Sequence, residues 1–132
     1  MKYAPHIAGG LLGFLFVAVS LMFFLKIGPA PDAPPEGSPP ALFMGAMIPT
    51  GYMNFVKAFE LIGGILVAIP RLRNLGLLVL GPIILNILAF HVFITKGAGI
   101  FEPPFMLPII GLLALYLLWT GRKEFAGLVP RS

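Results

Sequence analysis

Between Met53 and Thr95 the chain carries two long apolar runs, joined by the basic turn Pro70-Arg71-Leu72-Arg73-Asn74. The second run, from Leu75 to Thr95, is twenty-one residues long and contains one ionisable side chain, His91. Crossing about 30 Å of hydrocarbon takes about twenty such residues in a helix. Two further apolar runs, Ile7 to Leu25 and Phe105 to Trp119, flank the pair. These lengths identify an integral membrane protein. Composition agrees, since only 11% of the residues are charged, against roughly a quarter in a soluble domain. Closed strand barrels are the other way to span a bilayer, but their strands alternate apolar and polar residues. ILVAI, LLVLGPIILNILAF and GLLALYLLW do not alternate. The expected class is all-α.

The net charge of +4 does not indicate nucleic acid. The basic residues stand at the ends of the apolar runs, where they set topology, and no cluster of them is interleaved with aromatic rings. The chain has no cysteine, which excludes disulfides, thiolate metal sites and thiol–disulfide exchange by this chain alone. With His6 and His91 at opposite faces, no pair of haem ligands is in prospect either.

A single domain, residues 1–126, is expected to hold four spans at about 5–27, 52–70, 74–95 and 104–121. The first is longer than the ~7–15-residue apolar core of a signal peptide, and prolines follow it, so it reads as uncleaved. Gly9, Gly10 and Gly13 let another backbone approach it, or face lipid. Between the first two spans, prolines at 29, 31, 34, 35, 39, 40 and 49 forbid a regular helix across the whole connection. Ala41 to Ile48 turns apolar again and suits a brief interfacial helix or a lid. Pro70 ends the second span. Pro82 is expected to kink the third between Leu78 and Pro82, and Thr95 to Gly99 to cap it. Tyr116 and Trp119, followed by Arg122 and Lys123, form an interfacial anchor. Residues 127–132, GLVPRS, resemble the remnant of a thrombin-cleavable tag and are set aside. Lys2, Arg71, Arg73, Arg122 and Lys123 fall on one side and Lys26 and Lys96 on the other, which places both termini in the cytoplasm. The proline-rich loop is then extracytoplasmic.

Polar groups at membrane depth are costly and usually face a bundle interior. Lys57 and Glu60, three apart, share a helix face. Counting about 1.5 Å per residue from the outer helix ends sets Lys57 level with His91, Glu60 level with Asn86, and Ser20 at similar depth. Asn86 and His91 lie about 140° apart on an ideal helix, so one site takes both only if the helix is distorted or the site is broad. Together a carboxylate, an ammonium, an amide and an imidazole suit a quinone headgroup with proton exchange, or a small polar solute. Singly, they are a packing ion pair, interhelical hydrogen-bond glue and a water-satisfied interfacial histidine.

The stretch KAFELIGGILVAIPRLRNLGLLVLGPIILNILAFHVF resembles the DoxX family of small bacterial membrane proteins. Lys57, Glu60, Gly63 or Gly64, Arg71, Pro82, Asn86, Phe90 and His91 carry the resemblance, which extends more weakly over the other spans. It implies a four-helix bundle in the bacterial inner membrane. It also implies a quinone-interacting or redox-associated role, since the family's namesakes resemble a subunit of a thiosulfate:quinone oxidoreductase. The expected partners are the lipid bilayer, a quinone or lipid ligand, and a redox subunit or a second copy of the chain. A non-enzymatic binder or transporter and a purely structural subunit are the alternatives.

Overall fold

The computed structural model describes residues 3–28, 33–98, 100–101 and 105–129. Lys2, Asp32, Glu102, Pro104 and residues 130–132 lie outside them. The described residues form helices and no strand. Helix α1 is Ala4–Leu25, with Pro5 in its first turn, where a missing N–H costs nothing. It ends at Lys26, in the left-handed conformation. Helix α2 is Pro39–Met47, with the Ser38 hydroxyl accepting from the Ala41 N–H at its start. Helix α3 is Tyr52–Ala68. The 3-10 turn Pro70–Leu72 then leads into α4, Arg73–Ala89, which continues as the π-helical turn Phe90–Ile94. Helices α5, Met106–Thr120, and α6, Arg122–Ala126, complete the chain.

Helix α4 runs through Pro82 without a break. A change in hydrogen bonding follows at its end, where the Thr95 N–H reaches the Phe90 carbonyl five residues back. The Gly97 N–H bonds the His91 carbonyl at 2.6 Å, and Gly97 adopts φ +91°, the glycine closure of a helix end.

Two helices are long and apolar enough to cross a membrane, Ala4–Leu25 and Pro70–Ile94. A third span is counted if α2 and α3, bent by 81°, are taken as one. At 15 residues, α5 rises about 22 Å, short of a full hydrocarbon crossing. Leu12 and Phe16 of α1, Val67 of α3, Leu80 of α4 and Leu117 of α5 meet in one buried core. Large apolar side chains such as Phe14, Leu85, Phe93 and Leu112 point outward, the surface lipid requires. At the far end of α5 the Arg122 guanidinium lies 3.8 Å from the Trp119 ring centroid and donates to the Trp119 carbonyl, which holds the anchor in place.

Glycines bring the helices together. A Cβ on Gly13 would stand 2.5 Å from the Gly64 carbonyl oxygen, so α1 and α3 touch backbone to backbone. On the other side of α3, a Cβ on Gly76 would stand 2.5 Å from the Val67 backbone nitrogen.

Candidate functional site

These contacts fix the register. Gly64 faces Phe16 and Val17 of the antiparallel α1, which sets Ser20 level with Glu60. Gly63 faces Leu80, and Gly76 faces Val67. The same spacing carried outward sets Asn86 level with Lys57, and Ile83 with Glu60. The levels expected from helix ends are therefore off by about a turn. Asn86, not His91, shares the depth of Lys57, because α4 and its π-helical turn extend past the start of α3.

The Lys57 ammonium lies 3.4 Å from the Glu60 carboxylate, with side-chain exposures of 18% and 4%. Three residues apart, the two sit on adjoining turns of α3. The ammonium also stands 5.8 Å from the centroid of Phe23 on α1, a cation–π approach. Ser20 is 0% exposed, and its hydroxyl has no hydrogen-bond partner among the described residues. A pair of charges and an unpaired hydroxyl thus share one level between α1 and α3, amid otherwise apolar packing.

Asn86 lies elsewhere. It is exposed and lines an open groove of about 340 Å³ between α3 and α4. Tyr52, Phe55, Val56 and Phe59 form one wall, Val79 and Ile83 the other. The Asn86 amide nitrogen donates to the Pro82 carbonyl of its own helix at 3.0 Å, and its side-chain oxygen takes no hydrogen bond among the described residues. Phe55 and Phe59 pack with ring centroids 4.9 Å apart. Val56 comes one turn before Glu60 on the same side of α3, so groove and ion pair are neighbours separated by an apolar side chain.

His91, in the π-helical turn, is half-buried. Its Nδ1 lies 2.8 Å from the Ile87 carbonyl, an acceptor, so Nδ1 is the donor in that bond. The helix is distorted, as a site shared by His91 and Asn86 would require, but the distortion starts at Phe90, after Asn86. The structure pairs Lys57 with Glu60 and buries Ser20 at their level on α1. It places Asn86 in the adjoining groove and His91 beyond it.

One polar group at the other end takes a place the sequence did not indicate. Arg73, counted as a flanking charge, is 8% exposed. Its Nε donates to the Val67 carbonyl at 2.9 Å, and Nη1 donates to His6 Nδ1 at 3.4 Å. The Val67 carbonyl has lost its helical donor because α3 stops at Ala68, so the guanidinium caps that end. Gly9 leaves it room, since any Cβ there would overlap the guanidinium. Gly9 was the available signal, though nothing local in the sequence says what fills its space. Arg73→Leu should cost about 1–3 kcal/mol through the orphaned buried carbonyl, read by thermal unfolding in detergent. Arg73→Lys should not restore it, because a lysine lacks the fork that serves both acceptors.

Among the described residues, no three His, Asp or Glu side chains gather as a metal site. Comparisons with known protein families, characterised proteins and solved structures return no match.

Proposed function

We propose that this chain is a DoxX-like four-helix protein of the bacterial inner membrane, with both termini cytoplasmic. In this reading α1, α3, α4 and α5 are its spans, and it binds a quinone in the α3/α4 groove as a redox-associated subunit of a membrane complex. The observation that carries the reading is the groove itself. Its aromatic wall on α3, facing the aliphatic Val79 and Ile83, suits a flat ring. The Tyr52 hydroxyl and the Asn86 side-chain oxygen are its polar handles, a few such groups in an apolar cleft being the usual make-up of a small-molecule site. Glu60, paired with Lys57 one turn from Val56, is the carboxylate assigned to proton exchange, and His91 is assigned as a hydrogen-bonding imidazole.

The test is titration of a short-chain quinone into the purified protein in mild detergent. Phe59→Ala and Asn86→Leu should each weaken binding by roughly two- to tenfold, the worth of one aromatic contact or one hydrogen bond. Asn86→Leu puts an apolar side chain at an exposed position, so the fold survives it. Unchanged affinity in both variants would sink the quinone assignment.

The groove's openness to the bilayer supports a second reading, a non-enzymatic binder or carrier of lipid. Native mass spectrometry separates the two. Co-purified quinone favours the first, and co-purified phospholipid with flux in proteoliposomes favours the second.

A further inference from the structure

We infer that α2 is a strap across one end of the α3/α4 groove, so that the groove is loaded sideways, by a molecule already dissolved in the bilayer and not by a solute from the aqueous phase. The inference rests on the groove being the binding site proposed above, and it narrows the ligand class to amphipathic molecules with a substantial apolar body.

Helix α2 leaves α3 through a corner at Thr50 and Gly51. Gly51 adopts φ +82°, a conformation open to glycine and strained for other residues, and the two helices diverge by 81°. The corner is tied on both sides. The Thr50 hydroxyl donates to the Ala46 carbonyl at 2.6 Å, and the Tyr52 N–H donates back to that hydroxyl oxygen at 3.4 Å. From this corner α2 crosses toward α4, where the Phe43 ring meets Phe90 with centroids 4.8 Å apart. Phe90 opens the π-helical turn, one helical turn beyond Asn86. The strap is thus fixed beside the first turn of α3 and to the end of α4, so its two attachments stand next to Tyr52 and one helical turn beyond Asn86, the residues that line this end of the groove.

The side away from the core is open. Tyr52, Phe55, Phe59 and Asn86, all groove-lining, are exposed there. Tyr52, Phe55 and Phe59 follow one another with centroid spacings of 6.2 and 4.9 Å, so the rings continue from the corner into the groove. Helix α2, PPALFMGAM, carries no charge and exposes Leu42, which suits a helix lying in the membrane interface. A charged solute arriving from that side meets an apolar strap. A lipid-dissolved molecule meets an open aromatic slot.

The chain has no cysteine, so an introduced thiol reports alone. In proteoliposomes with reagent on both faces, Val56→Cys should react with an apolar, lipid-partitioning maleimide and resist a charged, water-soluble one. Phe43→Ala should raise labelling by the charged reagent roughly two- to tenfold, the equilibrium worth of one aromatic pair. Tying Phe43→Cys to Phe90→Cys with a short thiol cross-linker, in a chain that keeps Val56, should leave labelling of the groove wall by an apolar, light-activated carbene reagent undiminished. Phe59→Cys repeats the test at a second wall position. Equal labelling by the two reagents, indifference to Phe43→Ala, or loss of apolar labelling on cross-linking would each overturn the strap. No quinone is involved, so failure of the quinone reading and failure of this one are read separately.

Discussion

Lys57→Met alone should cost about 3–5 kcal/mol of stability, the range found when one partner of a buried ion pair is removed. Glu60 is 3% exposed, and its only salt-bridge partner among the described residues is Lys57. Without the ammonium, the carboxylate is left in apolar packing between α1 and α3. Replacing both, as Lys57→Met with Glu60→Leu, removes the two desolvation costs together and should be close to neutral. The measurement is a double-mutant cycle by unfolding in mixed detergent micelles. A single variant as mild as the double would show that the two charges are not coupled. The double variant also bears on function. If it folds and binds quinone with unchanged affinity and unchanged proton uptake, the pair serves packing and not proton exchange.

Much of the helical layout was legible because its causes are local. Pro70 stops α3, Pro39 and Pro40 suit the first turn of a short α2, and Gly97 closes the π-helical turn, each through backbone chemistry visible in one or two residues. The facing of the polar groups was not legible. Asn86 was expected inside because hydrocarbon is hostile to an amide, yet it stands on the exposed side of α4. Its amide bonds the Pro82 carbonyl four residues back, and His91 does the same with Ile87. A polar side chain partly satisfied by its own helix does not need the bundle interior. Arg73 shows the reverse. A charge at a span end is expected in water or headgroups, but this one turns inward because a truncated α3 offers a free carbonyl and Gly9 leaves space. Depth also eluded counting. Helix ends do not lie at a common level, and the register is set by which glycine meets which backbone.

Those glycine contacts carry the other large expected effect. Gly76→Ala places a Cβ 2.5 Å from the Val67 nitrogen and 3.0 Å from the Gly63 carbonyl oxygen. Both are backbone atoms, which cannot swing aside as a side chain would, so α4 must move off α3. Gly13→Ala does the same between α1 and α3, against the Gly64 carbonyl. Each should cost about 1–3 kcal/mol as overpacking, and the double variant more than either. Because both act on α3, their effects should not add independently. Gly10 and Gly81 supply the control, since a Cβ at either meets nothing within 4 Å. Gly10→Ala and Gly81→Ala should leave the unfolding midpoint unchanged or raised, alanine being the better helix former. Equal losses at all four positions would mean that glycine matters here for helix flexibility and not for helix contact. Losses confined to Gly13 and Gly76 would confirm close backbone contact on both sides of α3. Such contact leaves α3 little freedom to shift, so the groove on its exposed side depends for its shape on the side chains of α3 and α4 that line it.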